Sequence, residues 1–228
     1  MLEQIAWFEE CVRAGAPTAI DPTFVSVNHA GPTLIVCGSE AQKAFHLPRI
    51  LRGQAIWCQG FSEPGSGTDL ASLKARGTVH GQDLVIEGHK IWSSFADIAD
   101  YQELLIRTDP DARTSRAMTW VICPMDTPGI TVRPIRTMAG VNKFCEVFYD
   151  SVRVPLTNVV GGLHNGWATA MSTLAFERGT SSLGLLLSLL RKVEWMLQNC
   201  PAERPQMRAR IAQLRAEGAA VRAMAYRL

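Results

Sequence analysis

Residues 84–94 read LVIEGHKIWSS. The segment is rich in β-branched and aromatic residues, which are favoured in strands. Successive side chains of a strand point to opposite faces of its sheet. The segment is therefore predicted to be a strand, and one of its faces should carry Leu84, Ile86, Gly88, Lys90, Trp92 and Ser94.

Six segments of this kind fill the middle of the chain, and clusters of Gly, Pro, Asp and Asn separate them. They are residues 55–61, 84–94, 101–108, 117–125, 130–135 and 145–154. This spacing predicts an antiparallel β-barrel or sandwich of roughly 100 residues. Strands do not alternate with helices here, which disfavours a doubly wound nucleotide fold.

Helical patterns flank the middle region on both sides. Ser39 is predicted to cap a helix because Gln42 completes a capping box, and Pro48 should end that helix near His46. Apolar residues recur at helical spacing within residues 165–198, and residues 203–227 form a further amphipathic helix. No internal repeat is evident. The predicted fold class is α+β.

Composition limits the classes of function. The chain has 228 residues, 23 Lys+Arg, 21 Asp+Glu and a net charge of +2. This balance argues against nucleic acid as a partner. The most apolar run, residues 183–190, is too short to span a membrane, and the N-terminus lacks the features of a secretory signal. The six cysteines contain no C-x-x-C pair, so neither a metal site nor a disulfide framework is expected, and a cytoplasmic location fits best.

Residues 58–69, CQGFSEPGSGTD, combine a predicted strand end with a turn rich in glycine and hydroxyl residues. Such a turn can bring backbone N–H groups and small hydroxyls close to a flat or anionic ligand. The segment is neither a P-loop nor G-x-G-x-x-G, and Gly-rich turns are common on surfaces. Taken alone, the pattern leaves both interpretations open.

Two further features have the same ambiguity. An indole beside a hydroxyl, at Trp92 and the serines after it, suits a planar heteroaromatic ligand but also fits a core tryptophan. Near the other end, Glu177 shares one helical line with Ala170, Ser181, Gly184 and Ser188. That column leaves room for a slender ligand beside a general base, or permits close helix packing with Glu177 in a salt bridge.

In combination, these motifs resemble the acyl-CoA dehydrogenase family. The matching segments are GSEAQKAFHLPRILRGQAIW (38–57), CQGFSEPGSGTDLASL (58–73), GHKIWSS (88–94), EVFYDSVRVP (146–155) and NGWATAMSTLAFERGT (165–180). The resemblance covers residues 30–190. It implies a remnant of an N-terminal helical domain at 1–53, a middle β-domain at 54–157, and the first helices of a C-terminal helical domain at 158–228.

The resemblance also implies FAD as the cofactor. Its binding would fall on Gln59, Phe61, Ser62, Gly67, Thr68, Trp92, Ser93 and Ser94. Ser62 would hydrogen-bond the flavin ring, and Ser94 would lie near flavin N5. Thr68 would also contact the substrate, as would Arg178, and Glu177 takes the position of the catalytic base.

The implied reaction is α,β-dehydrogenation of an acyl-CoA thioester to a trans-2-enoyl-CoA, with electron-transfer flavoprotein as acceptor. A homo- or hetero-oligomer is expected from the family. Two alternatives remain: a truncated or non-catalytic partner subunit of an acyl-CoA dehydrogenase, because only parts of the family's helical domains are represented, and an acyl-CoA oxidase that uses oxygen.

Overall fold

The computed structural model describes residues 2–16, 22–109, 111–112, 114–177 and 183–227. Its helices and strands are, in order, α1 (Leu2–Arg13), α2 (Gly31–Cys37), α3 (Glu40–Leu51), β1 (Trp57–Gly60), β2 (Arg76–His80), β3 (Asp83–Ser94), β4 (Tyr101–Arg107), β5 (Met118–Pro124), β6 (Ile130–Ile135), β7 (Phe144–Pro155), β8 (Val159–Val160), α4 (Gly166–Glu177), α5 (Leu183–Asn199) and α6 (Pro205–Ala225). A π-helical turn, Ser26–Ala30, leads into α2. The predicted α+β class is confirmed.

One eight-stranded sheet contains all of these strands, in the order β6-β7-β3-β2-β4-β5-β8, with β1 paired to β4. Most neighbours are antiparallel, but β4 runs parallel to both β1 and β2. The terminal strands of this order, β6 and β8, do not pair with each other in the described part of the chain. The sheet is therefore not closed, which rules out the barrel, one of the two architectures that the sequence left open.

All six predicted strands are present, as β1, β3, β4, β5, β6 and β7. The two strands that were not predicted have weak local signals. β2 reads RGTVH and is mostly exposed, and β8 has only two residues. Both are recognisable only through their pairing partners, because neither has an apolar alternation of its own.

Contacts divide the residues into two compact units, 21–175 and 1–20 with 176–228. In the first unit, one face of the sheet packs against α2, α3 and α4 through a core that includes Leu34, Ile50, Trp57, Trp120 and Ala170. The opposite face has its own core, which includes Leu84, Ile86, Leu104, Val147 and Val152. The three-part division at residues 53 and 157 stays a prediction.

The capping box at the start of α3 is confirmed. Gln42 N donates to Ser39 Oγ, and Ser39 N donates to Gln42 Oε1. The predicted end near His46 was wrong, because α3 continues through Pro48 to Leu51. Proline lacks one helical donor and costs about 3 kcal/mol inside a helix. The last turn nevertheless carries Ile50 into the core, which favours its formation.

The second unit consists of α1, α5, α6 and the last residues of α4. Ile5 and Val12 of α1 pack against Leu183 and Leu187 of α5, and Ile211 of α6 packs against the other end of α5. As predicted, a helix ends just before Pro201 and another covers most of residues 203–227. None of the described helices is long and apolar enough to cross a membrane.

Candidate functional site

The turn after β1 closes on itself through two backbone hydrogen bonds. Glu63 N donates to Ser66 O at 2.8 Å, and Ser66 N donates to Glu63 O at 3.0 Å. The Ser66 hydroxyl donates to Asp69 O at 2.7 Å and fixes the next residues. At the tip, open space surrounds Gly65 and Gly67, so the turn presents backbone rather than side chains.

A buried ion pair fixes this turn to β3. Lys90 Nζ donates to Glu63 Oε1 at 2.9 Å and to Phe61 O at 3.0 Å. The Glu63 carboxylate also accepts hydrogen bonds from Lys74 N at 2.6 Å and Ala75 N at 2.8 Å. These contacts satisfy both charges inside the protein, as buried charges require.

The protein environment lowers the pKa of both residues of this ion pair. Burial alone would raise the pKa of the Glu63 carboxyl, but Lys90 and the backbone N–H groups outweigh burial and hold that pKa below its usual value. Burial lowers the pKa of the Lys90 ammonium to about 8, although Glu63 opposes this shift. This pair was missed in the sequence. The available signal was a lysine predicted on the inner face of a strand, where it needs a carboxylate partner.

The end of β3 contains a β-bulge that changes which side chains share a face. Lys90 pairs with Val147 and Ser93 pairs with Cys145, so β3 has one residue more than β7 over this interval. Trp92 occupies the left-handed region with φ 63°. Ser93 is consequently buried on the Lys90 side, and the prediction that Trp92 and Ser94 share the face of Lys90 was wrong.

The bulge leaves Trp92 exposed beside the turn. Its side chain is 56% exposed and contacts the Phe144 ring edge-on, with 6.0 Å between the ring centroids. Ile91 N donates to Ser62 O at 2.9 Å, which connects the residue before Trp92 directly to the turn. The structure thus brings together the two motifs that the sequence singled out separately.

The hydroxyl residues of the predicted site are accessible. Ser62 and Ser94 are half-buried, whereas Thr68 and Gly67 are exposed. Within the described residues, no hydrogen bond engages the side-chain hydroxyls of Ser62, Thr68 or Ser94. These groups are available to a ligand.

Two other predicted binding residues direct their side chains elsewhere. Phe61 is buried in the core between the sheet and the helices. Gln59 Nε2 donates to Glu103 Oε1 at 2.9 Å, and the same oxygen lies 3.2 Å from Nδ1 of His29, a residue of the π-helical turn. Together with the buried Ser93, these residues keep their side chains inside the protein, so their roles in binding stay predictions.

The residues predicted to act on substrate lie mostly outside the described part. Glu177 is the last residue of α4, and its side chain is outside the described residues, as are all atoms of Arg178. Their roles, and that of the column containing Ser181, stay predictions. No cluster of three or more potential metal ligands occurs among the residues the structure describes.

The chemistry of the residues present fits FAD. An exposed indole offers an aromatic surface, three hydroxyls with no hydrogen-bond partner among the described residues offer hydrogen bonds, and the Gly65–Gly67 tip offers backbone N–H groups. A tryptophan in left-handed backbone is also an uncommon, strained arrangement of the kind found at ligand sites.

Comparison with known proteins identifies the fold. The profile of the acyl-CoA dehydrogenase middle domain matches residues 58–152, which include the turn and the bulged end of β3. Acyl-CoA dehydrogenase IpdE1 of Mycobacterium tuberculosis is 37% identical over 219 residues, covering 92% of this chain and 55% of that protein. The chain belongs to the acyl-CoA dehydrogenase family.

Solved structures of acyl-CoA dehydrogenases have the same architecture. The steroid ACAD Tcur3481-Tcur3483 superposes with a TM-score of 0.86 at 38% identity, over 99% of this chain and 58% of that chain. The ChsE4-ChsE5 complex from Mycobacterium tuberculosis gives a TM-score of 0.80 at 33% identity, over 99% and 59%. The chain spans about half the length of the curated relatives it matches. Members of this acyl-CoA dehydrogenase family use FAD.

Proposed function

We propose that the chain takes part in the flavin-dependent α,β-dehydrogenation of an acyl-CoA thioester. The observation that carries this proposal is the hydrogen bond from Ile91 N to Ser62 O, 2.9 Å long. It places the hydroxyl-rich turn beside the exposed indole of Trp92, within the range that matches the family's middle domain. Neither motif alone distinguishes a ligand site from an ordinary turn.

In this proposal, FAD is held by side chains from both motifs. Ser62 and Ser94 donate hydrogen bonds to the flavin ring, Trp92 lies against its edge, and Thr68 contacts the diphosphate. Gln59, Phe61, Gly67 and Ser93 contribute backbone, because the side chains of the three larger residues are directed into the protein. FAD, when bound, supplies the acceptor for the β-hydrogen and its electron pair.

Removal of the α-proton is assigned to Glu177. Its carboxylate takes the proton from the carbon next to the thioester carbonyl, and the α,β C–C single bond becomes a trans double bond. Thr68 and Arg178 contact the acyl-CoA. The base is expected to contribute about 10²–10⁴-fold to the rate, as positioned general bases do.

We also propose a bulky ring-bearing acyl group as substrate, because Tcur3481-Tcur3483, at 38% identity, is described as a steroid ACAD. An electron-transfer flavoprotein is the proposed acceptor. A cytoplasmic location is part of the proposal and rests on the sequence alone.

The second candidate is a non-catalytic partner subunit. One observation favours it: the ChsE4-ChsE5 relative is a complex of two different proteins. In this case the chain binds flavin weakly or not at all until a companion polypeptide is added.

One experiment separates the candidates. The purified chain is titrated with FAD, flavin fluorescence is recorded, and the bound flavin is then mixed anaerobically with acyl-CoA. Glu177→Gln should bind FAD as the wild type does, and its rate of flavin bleaching should fall by about 10²-fold or more, whereas Glu203→Gln, an exposed control, should bleach normally.

The outcomes have distinct meanings. Normal bleaching in Glu177→Gln removes Glu177 from the role of base. FAD binding only after a companion chain is added supports the partner-subunit candidate. Hydrogen peroxide release under air would indicate an oxidase instead of a dehydrogenase.

A further inference from the structure

The end of β3 holds two residues in left-handed backbone. Trp92 has φ 63° and Phe95 has φ 59°, a region that is unstrained only for glycine. Between them lies Ser94, which is proposed to donate a hydrogen bond to the flavin ring. We call residues 92–95 the β3 arch. Strained backbone of this kind persists only where surrounding contacts hold it. The contacts of the β3 arch therefore determine how Trp92 and Ser94 are presented.

The backbone of the β3 arch pairs with the residues at the start of β7. Ser94 pairs with Phe144 in the sheet, and Phe95 N donates to Lys143 O at 2.9 Å. These contacts use main-chain atoms, which almost any residue could supply. They fix the path of the backbone, but they do not account for an aromatic side chain at each strained position.

The side chain of Lys143 connects the two strained residues. Its ammonium lies 5.4 Å from the centroid of the Phe95 ring and 6.0 Å from the centroid of the Phe144 ring. The Phe144 ring in turn meets the Trp92 indole edge-on, with 6.0 Å between the centroids. Side-chain contacts therefore run without interruption from Trp92 through Phe144 and Lys143 to Phe95.

These contacts favour the strained conformation over a relaxed one. A cation within about 6 Å of a ring is attracted by the negative charge of the ring face, and aromatic pairs are attracted in edge-to-face geometry. Both attractions require the rings of Trp92 and Phe95 to stay where the left-handed backbone directs them. No carboxylate in the described part of the chain forms an ion pair with Lys143, which leaves its ammonium to the rings.

We propose that Lys143 is a positioning residue, whose ammonium holds the β3 arch in the conformation that presents Trp92 and Ser94 to the flavin. The inference rests on the proposed function, because it takes the arch as part of the FAD site. Lys143 acts through the rings and not by contact with the cofactor. A ligand binds more weakly in proportion as the binding-competent conformation is less populated. Loss of the ammonium therefore weakens FAD binding by letting the arch relax.

Lys143→Met tests this role, because it removes the ammonium and keeps a flexible apolar side chain. Exchange of the amide hydrogen at position 95 is followed by mass spectrometry in the full chain without FAD. It should be about fivefold faster in the variant, the ratio that one cation–π contact of ordinary strength gives. Titration with FAD, followed by flavin fluorescence, should show a dissociation constant that is raised by about two- to fivefold.

Further variants separate positioning from general damage. Lys143→Arg keeps a cation that packs on aromatic rings, so its amide exchange and FAD affinity should stay within about twofold of the wild type. Phe95→Asn removes the strain at that position, because asparagine tolerates left-handed backbone. Adding Lys143→Met to Phe95→Asn should then change FAD affinity by less than about twofold. Lys192→Met, at an exposed lysine of α5, is the control and should match the wild type.

The amide at position 95 decides the proposal whether or not the chain binds FAD. If it exchanges no faster in Lys143→Met than in Lys192→Met, the proposal is overturned. A Lys143→Arg variant that is as impaired as Lys143→Met overturns it too, as does a full effect of Lys143→Met in the Phe95→Asn background. A wild-type chain that binds no FAD contradicts the proposed function instead, and the exchange rates then still show whether Lys143 holds the β3 arch.

Discussion

Lys90 Nζ lies 2.9 Å from Glu63 Oε1, with the lysine side chain fully buried and the glutamate side chain nearly so. The two residues belong to different motifs, because Glu63 is in the hydroxyl-rich turn and Lys90 is in β3 two residues before Trp92. This ion pair is thus one of the contacts that join the two motifs of the proposed cofactor site, beside the hydrogen bond from Ile91 N to Ser62 O. A substitution of either residue should lower both the free energy of unfolding and the affinity for FAD.

Lys90→Met is expected to lower the free energy of unfolding by about 3–5 kcal/mol, because it leaves the Glu63 carboxylate buried without its cation. Denaturant titration followed by circular dichroism measures this loss. The same variant should weaken FAD binding, since the turn loses its connection to β3. The double variant Lys90→Met with Glu63→Gln should recover part of the stability, because no charge is then buried alone.

Lys43→Met is the matched control. Lys43 also lies 2.9 Å from a glutamate, but that residue, Glu40, is almost fully exposed. Exposed pairs of this kind contribute about 0–1 kcal/mol. If Lys90→Met is no more destabilising than Lys43→Met, the buried pair does not have the structural role described here.

The same lysine should make stability depend on pH in the alkaline range. Its pKa is about 8 in the folded protein and 10.5 when unfolded, so the unfolded chain binds more protons between these values. The free energy of unfolding therefore rises as the pH increases from about 8 to 10.5. The same contribution is lost when the pH is lowered through the folded pKa of about 8. The free energy of unfolding of the wild type minus that of Lys90→Met, measured from pH 7 to 10.5, should increase. A flat difference would show that Lys90 does not titrate as its burial requires.

At the acidic end, Glu63 makes stability depend on pH in the same direction, because its folded pKa is also lowered. Its folded pKa lies below the ordinary value of 4.5, so its stabilisation is complete above pH 4.5 and is lost as pH falls through the folded pKa. Wild type and Glu63→Gln should consequently converge in stability on acidification. Divergence between pH 4.5 and 3 would contradict the assignment.

Local patterns predicted much of the fold, because the relevant signals lie within a few residues. The capping box of Ser39 and Gln42 needs only three residues of separation, and the alternation in β3 holds from Leu84 to Lys90. The sequence did not decide between a closed barrel and a sandwich, since closure depends on whether the terminal strands pair, and no local pattern encodes that.

The site was predictable in its motifs but not in its geometry. The bulge at Trp92 results from a mismatch between β3 and β7, whose paired residues are fifty or more positions apart. Likewise, the Glu63–Lys90 pair connects residues 27 positions apart. The bulge and the ion pair both depend on contacts between residues far apart in the sequence. Composition and periodicity do not predict such contacts.

The cysteines provide a direct check on the packing of the sheet. Burial raises the pKa of Cys58 well above its ordinary value and that of Cys123 to about 12. Cys145 and Cys200 are also buried, whereas Cys11 and Cys37 are partly exposed. A thiol reagent at pH 8 should label Cys11 and Cys37 rapidly in the folded chain and all six thiols in denaturant, because only accessible thiolates react. Mass spectrometry identifies the labelled residues, and rapid labelling of Cys58 or Cys123 would contradict this packing.

Trp92→Asn tests whether the indole of Trp92 contributes to the stability of the fold or to the binding of FAD. The left-handed backbone at φ 63° is strained for tryptophan by about 1–2 kcal/mol and is better tolerated by asparagine. Because the indole is 56% exposed, its removal loses little burial. The free energy of unfolding should therefore stay constant or rise by about 1 kcal/mol, while FAD affinity falls.

Trp195→Asn, at a tryptophan that is 64% exposed on α5, is the control. It should leave FAD affinity unchanged and cost a few tenths of a kcal/mol in helix propensity, about what the propensity scale gives for asparagine. Unfolding curves and flavin fluorescence titrations distinguish the two variants. A large loss of stability in Trp92→Asn, with FAD affinity retained, would mean that the indole serves the core and not the cofactor. If Trp92→Asn instead keeps or gains stability and loses FAD affinity, the strained backbone at the end of β3 serves ligand binding. In that case the tryptophan does not stabilise the fold.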